Sequence, residues 1–235
     1  IEVITNLGVT LQTNTALGKD VTVDGLFKDG YKAVYLALGA HKGIELGVPG
    51  EKANGVRQGV EFLREVNLSG KAWVGKKVAI IGGGDVAIDV SRAAVRLGAE
   101  EVTIIYRRTR AEMPAWEEEI QAAESEGVKI EYLAAPQEVL TRDGRVIGLR
   151  CIRMELTEAD SSGRRRPVPI DGSEFELDVD LVIVAVGVSP NPLVPSCLPD
   201  LRESKWGTII VDEDKMQSSI PEMFAGGDIV RGGAT

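Results

Sequence analysis

Lys77-Val78-Ala79-Ile80-Ile81-Gly82-Gly83-Gly84-Asp85-Val86-Ala87-Ile88-Asp89 is the stretch that decides the fold. The apolar run after Lys77 predicts a buried strand, and the residues from Asp85 to Leu97 predict a helix that Gly98 closes. Val102-Thr103-Ile104-Ile105-Tyr106 reads as a second strand, so the unit is strand, loop, helix, strand, and parallel pairing through a right-handed crossover is expected. Between the first strand and the helix, Gly82 to Ala87 matches GxGxxA. Gly82 permits the tight turn, Gly84 lets a pyrophosphate approach the backbone, Ala87 allows close helix packing, and the helix N-terminus attracts anions. Gly82, Gly83, Gly84, Asp85 and Val86 are therefore candidate dinucleotide-binding residues, and the competing reading is a glycine-rich turn with no ligand.

The end of the second strand distinguishes the dinucleotides. An NAD site places an acid there, about 20 residues beyond the loop, to hold the ribose hydroxyls, whereas an NADP site uses Arg for the 2′-phosphate. Tyr106-Arg107-Arg108 stands at that place with no acid, which favours NADPH. Arg107 and Arg108 are equal candidates for direct contact. The competing reading is a solvated basic loop, to which Arg110 adds charge with no evident role.

Working outward, the 235 residues are 43% hydrophobic, enough for a sizeable core in one large or two modest domains. A net charge of −9 opposes general nucleic-acid binding. No apolar run approaches the roughly 18 residues of a membrane helix, and no export signal opens the chain, so the expectation is a cytoplasmic protein with no membrane partner. The 2 cysteines, Cys151 and Cys197, are too far apart for a CxxC pair, and the single histidine, His41, excludes sites built on paired histidines. Ile1 and the closing Gly232-Gly233-Ala234-Thr235, which reads as a helix opening, give the impression of a piece of a longer polypeptide.

Elsewhere, alternation through Val9, Leu11 and Thr13 is followed by Ala33 to Leu38, read as a buried strand ending at Gly39. Gly43 to Gly55 reads as an interdomain linker, and Val60, Leu63, Val66 and Leu68 as the apolar face of a helix. Pro114 marks a helix start and Gly127 its end, before a third strand, Val128 to Tyr132. Asp143-Gly144 predicts a hairpin with a long antiparallel strand from Val146 to Leu156. Ser161 to Arg166 reads as an exposed turn, Asp171-Gly172 as a second hairpin, and Leu181 to Val186 as a buried strand ending at Gly187. Thr208 to Val211 and Met223 to Gly226 are the last short strands expected.

Gly82 to Asp89, Tyr106-Arg107-Arg108, Glu112-Met113-Pro114-Ala115 and Glu126-Gly127-Val128 resemble the NADPH-binding half of the glutamate synthase small (beta) subunit. That group belongs to the FAD-dependent pyridine nucleotide oxidoreductases. The resemblance implies an α/β fold: a Rossmann-like three-layer NADPH-binding domain, with a βαβ core and an antiparallel hairpin layer, inserted into part of a second, FAD-type domain. The expected division is 1–55 for the end of the first FAD half plus linker, 56–200 for the NADPH domain, and 201–235 for the start of the second FAD half.

The same resemblance assigns the flanking motifs. Leu36 to Ala40 is similar to the strand and turn ending the first FAD half, and Ala185-Val186-Gly187 to its counterpart in the NADPH domain, making Ala185 and Gly187 cofactor-binding candidates. Gly227 and Asp228 resemble the motif whose Asp holds the flavin ribityl chain, and Ala234-Thr235 the start of the helix pointing at the isoalloxazine. Asp89 falls where related reductases carry an acid near the nicotinamide carboxamide; otherwise it is a solvent-facing helix acid. His41 is near the flavin region by this comparison but is given no proton-transfer role.

What the resemblance implies for function is hydride passing from NADPH to FAD, with electrons continuing through iron–sulfur clusters to an accepting subunit such as a glutamate synthase large subunit. The cofactors carry that chemistry, so no acid, base or nucleophile is named. This sequence departs from the pattern in lacking a second GxGxxG before residue 40 and the cysteine-rich cluster region, both expected upstream of Ile1. A chain so divided is expected to bind NADPH without holding FAD tightly. The alternatives are a non-catalytic NADPH-sensing module, which would not need Gly227-Asp228 and Ala234-Thr235, and an adenosine-cofactor methyltransferase, which Arg107-Arg108 oppose.

Overall fold

A computed structural model describes residues 1–159, 165–192 and 197–233. In chain order it contains α1 (Glu2–Thr5), α2 (Val23–Lys28), β1 (Val34–Leu36), β2 (Ala40–Gly43), β3 (Val56–Gln58) and α3 (Gly59–Ser69). Then come β4 (Lys77–Ile81), α4 (Asp85–Arg96), β5 (Glu101–Tyr106), a short 3-10 turn at Arg110–Glu112, α5 (Glu117–Ser125) and β6 (Lys129–Tyr132). β7 (Ala134–Arg142), β8 (Arg145–Ala159), β9 (Arg165–Leu177), β10 (Leu181–Val184), β11 (Val188–Pro190) and β12 (Met223–Ala225) follow, with a last helix at Asp228–Arg231. The chain divides into two compact units, one of residues 41–188 and one of 1–40 with 189–234.

In the unit of residues 41–188, five strands form a sheet in the order β3-β10-β4-β5-β6, parallel throughout. Alternation along the strands separates two cores. Val78 and Ile80 of β4, Val102 and Ile104 of β5, and Leu181 and Ile183 of β10 pack with Phe62, Ile88, Val90, Ala94, Ile120 and Ala123 from the helices. Ala79, Ile81, Ile105 and Val182 point the other way, onto Ala134, Val139, Val146, Leu149 and Cys151 of the antiparallel sheet β7-β8-β9. The result is three layers: helices, parallel sheet, antiparallel sheet. This is the α/β arrangement that the resemblance implied, built on the parallel βαβ unit and the hairpin read from the sequence.

Asp143-Gly144 forms the β7–β8 turn, with φ of 52° and 73° at the two residues, the left-handed pair of a type I′ turn. Asp171-Gly172 forms no second hairpin. β9 runs through it, and the register steps from Ile152↔Glu174 to Met154↔Pro169, so the intervening β9 residues bulge out of the ladder. Gly172, at φ +75°, makes the kink possible, and the Ser173 hydroxyl closes it by accepting from Arg153 N at 3.1 Å. Of the expected turn at 161–166, residues 161–164 lie outside the described residues, whereas Arg165 and Arg166 belong to strand β9.

The segment read as a linker is packed. Leu46, Val48 and Ala53 lie against the second core, and Glu51 accepts from Gly47 N at 2.7 Å. Its glycines and charges serve close backbone approach: a Cβ on Gly50 would stand 2.1 Å from the Val139 carbonyl oxygen. In α3 the buried side chain is Phe62, while Leu68 is 77% exposed, because a residue in the last turn has rotated off the sheet-facing stripe.

Cys151, on β8, is fully buried, and that burial pushes its thiol up from 9.0 to about 12. The thiol is expected to resist an aromatic disulfide reagent at pH 8 until denaturant unfolds the chain, as peptide mass mapping would show. The unfolded chain ionises this group at 9.0, so its contribution to stability is full below that pH and declines as pH rises towards about 12.

In the other unit, β1 and β12 pair in parallel, Val34↔Met223 to Leu36↔Ala225. Their core is Val23, Leu36, Leu201, Ile209, Met223, Ala225 and Ile229. Three expectations fail here. Val9 and Leu11 are exposed and lie in no strand, and Tyr35, in the middle of the run read as buried, is 59% exposed, because β1 has a neighbour on only one side among the described residues. Thr208–Val211 contributes only an isolated bridge, Glu203↔Ile209.

Candidate functional site

The C-terminal ends of β4 and β5 build the site. At Ile81 the chain leaves β4 and turns through Gly82 at φ +143°, where a Cβ would lie 2.2 Å from the Ala185 carbonyl oxygen at the end of β10. Gly82 N donates to the Ile105 carbonyl at 3.1 Å and Ala185 N to the Ile81 carbonyl at 2.8 Å, so the loop is tied to both neighbouring strands. Gly84 is the extended N-cap of α4, which leaves the helix's first N–H groups without intrahelical acceptors. The loop leaves the C-terminal end of the central strand β4, between the parallel strands β10 and β5.

Tyr106 and the segment after β5 cover the loop. A Cβ on Gly83 would meet the Tyr106 ring at 2.5 Å, and the Gly83 carbonyl accepts from Ala115 N at 3.3 Å. The Tyr106 hydroxyl donates to the Glu112 carbonyl at 2.6 Å, and burial holds it protonated above the usual tyrosine range, with Arg108 pulling the other way. Asp85 accepts from Trp116 N at 3.4 Å. Glu112-Met113-Pro114-Ala115 is thus the strap over the glycine loop. Nothing in the glycine spacing points to Tyr106 or to Gly59, whose Cβ would lie 3.3 Å from both Ala185 and Val86.

The arginines separate. Arg107 is exposed and makes no ion pair among the described residues. Arg108 is half-buried, its Nε donates to the Arg165 carbonyl at 3.0 Å, and its own carbonyl accepts from Leu133 N at 3.1 Å. Arg110 is structural. It bonds Glu117 at 2.8 Å and Glu124 at 2.6 Å on α5, and those carboxylates push its guanidinium still higher. Thr109 and Glu112 close a capping box in which the Glu112 carboxylate accepts from Thr109 N at 3.1 Å. The Thr109 hydroxyl, then Arg165, hold Glu112 below the usual carboxylate range.

Asp89 is exposed on α4, four residues after Asp85, and its carboxyl lies above the usual range through local desolvation and then repulsion from Glu119 and Asp85. Gly82 to Val86 and Ala185 therefore come together, and Arg107 and Arg108 follow Tyr106, whose ring lies against Gly83. Gly187, at φ +132°, stands further along, where its carbonyl accepts from Ile44 N at 3.1 Å. Gly227 (φ +78°) and Asp228 are exposed at the end of β12 in the other unit, and Ala234 and Thr235 lie outside the described residues. His41 is exposed on β2. Among the described residues there is no cluster of His, Cys, Asp and Glu able to hold a metal, and no helix long and apolar enough to cross a membrane.

Residues 1–235 match the family described as pyridine nucleotide-disulphide oxidoreductase. The chain is 46% identical over 238 residues to the NADP(+)-dependent formate dehydrogenase subunit beta of Moorella thermoacetica, covering 100% of this chain and 33% of that protein. It is 35% identical over 246 residues to the glutamate synthase [NADPH] small chain of Escherichia coli, covering 98% of this chain and 52% of that one. Such figures mean that the chain spans only about a third to a half of the length of these curated relatives. The structure of Mycobacterium tuberculosis FprA in complex with NADPH shares the fold, with a TM-score of 0.76 at 20% identity over 94% of this chain and 63% of that one. A glycine loop at the C-terminal edge of a parallel sheet, basic residues at the end of the next strand and a match along the whole sequence agree: the chain belongs to the pyridine nucleotide-disulphide oxidoreductase family.

Proposed function

We propose that this chain carries the NADPH-binding part of a flavin-dependent oxidoreductase. The observation that carries the reading is the pair Arg107 and Arg108 at the end of β5, beside a glycine loop whose Gly82 has no room for a side chain. The residues fit the cofactor: the free N–H groups at the start of α4 suit a pyrophosphate, and two guanidinium groups suit a 2′-phosphate. In this reading Gly82, Gly83, Gly84, Asp85 and Val86 hold the pyrophosphate side, Ala185 and Gly187 line the way to the nicotinamide, and Asp89 lies near its carboxamide.

Gly227 and Asp228 would hold the flavin ribityl chain, with Ala234 and Thr235 beside the isoalloxazine. The N-cap geometry of Gly227, at φ +78°, and the exposed Asp228 carboxylate suit that role. Bound together, the cofactors supply hydride transfer between nicotinamide and flavin, and the chain's own residues bind and orient them. Onward transfer through iron–sulfur clusters to an electron-accepting subunit would use segments outside this sequence. The names of the relatives, a formate dehydrogenase subunit and a glutamate synthase small chain, differ in what they act on, so the reading stops at NADPH and flavin. The division into 1–55, 56–200 and 201–235 belongs to the same proposal. Flavin residues in a module of this kind also favour an enzyme over a sensor of NADPH.

The test is a side-by-side titration of the full chain with NADPH and NADH at one moderate salt concentration, followed by heat or nicotinamide fluorescence. NADPH is expected to bind at least about tenfold more tightly, a difference of ~1.4 kcal/mol. Equal affinities would refute the reading of the arginine pair.

A further inference from the structure

We propose that Arg165, the first residue of β9 in the antiparallel sheet, is a positioning residue of the 2′-phosphate site; the inference rests on the NADPH reading above and adds its selectivity determinant. Arg165 acts on two charged residues of the loop after β5, Arg108 and Glu112. Its carbonyl accepts from Arg108 Nε at 3.0 Å, which ties that guanidinium to the sheet beside Tyr106, with which it also interacts, and so fixes where its fork stands. Its guanidinium turns to Glu112: Nε donates to Oε1 at 2.7 Å, and Nη2 bonds the same oxygen.

The second contact matters because Glu112 is in the wrong place for an anion site. It is bonded to Thr109, the neighbour of Arg108, so an unbalanced carboxylate there would repel a phosphate bearing up to two negative charges. The side chain of Glu112 is only 17% exposed, which leaves little water to screen that repulsion. Arg165 cancels the charge, whereas the other carboxylate contacts among the described residues, from Thr109 N and the Thr109 hydroxyl, are neutral. A side chain from a layer remote in sequence thus sets the net charge of the pocket.

The experiment compares Arg165→Ala, Arg165→Lys, Arg165→Gln and the double variant Arg165→Ala with Glu112→Gln, each as the full chain, by NADPH and NADH titration. Arg165→Ala is expected to weaken NADPH roughly tenfold and NADH less than about twofold. Adding Glu112→Gln is expected to restore most of the lost NADPH affinity, because it removes the uncompensated charge, and Arg165→Lys to stay within about threefold of wild type. Should Arg165→Ala fail to fold by circular dichroism, Arg165→Gln carries the same comparison. An unchanged NADPH to NADH ratio in Arg165→Ala, equal weakening of both, or no recovery with Glu112→Gln would overturn the proposal. Wild-type protein is read first, and equal binding of both nucleotides there would overturn the NADPH reading itself.

Discussion

Gly82→Ala is expected to lower stability by about 2–5 kcal/mol and to weaken NADPH by at least about 100-fold. Two costs combine. At φ +143° the added methyl group occupies a backbone region that L-residues rarely adopt, worth about 1–2 kcal/mol. The methyl would also stand 2.2 Å from the Ala185 carbonyl, which is backbone and cannot swing aside, and such overpacking costs about 1–3 kcal/mol. Relief requires β4 and β10 to part, straining the Ala185 N to Ile81 carbonyl bond at 2.8 Å and moving the first N–H groups of α4. Urea unfolding gives the stability, and a titration at a urea concentration where circular dichroism reports folded protein gives the binding. A folded variant with wild-type NADPH affinity would show that the loop does not hold the pyrophosphate.

Replacing both Arg107 and Arg108 by Ala is expected to cost about 1.5–3 kcal/mol per lost charge-assisted bond in NADPH binding, with NADH nearly unchanged. The two should not contribute equally. The Arg108 guanidinium is braced by the Arg165 carbonyl, so less side-chain freedom is lost when it meets a phosphate, and its single variant should show the larger loss. Arg107 is exposed and must be ordered on binding, so its contribution should fall more steeply as salt rises. Titrations of the two single variants and the double at two salt concentrations measure both statements. Equal weakening of NADPH and NADH would place these arginines away from the 2′-phosphate.

The sequence made the glycine loop and its flanking strands legible because the signals there are local. A buried run, three glycines and a helical period each depend on near neighbours, and Asp143-Gly144 likewise specifies its own turn. What was not legible depends on residues far apart in the chain. Arg110 is an unexplained charge until Glu117 and Glu124 are seen beside it, and Glu112 is part of a motif with no mechanism until Arg165 reaches it from β9. Asp171-Gly172 misleads for a related reason: the dipeptide permits a reversal, but continued pairing of β9 with β8 on both sides turns it into a bulge. The run from Gly43 to Gly55 looks loose because glycine marks mobility and close contact alike, and only Val139 shows which applies.

The order of strands has a consequence for assembly. β4, β5 and β6 succeed one another in sequence and can associate as soon as they exist, but the slot between β3 and β4 is filled by β10, after the whole antiparallel sheet. Closing so long a loop is entropically slow compared with local pairing. The glycine turn is therefore made early and walled late, since Ala185 arrives only with β10. A nascent chain that has not yet emerged past Val184 carries the recognisable loop without its far wall, and ligand capture should appear as the final event of refolding, in step with β10 docking.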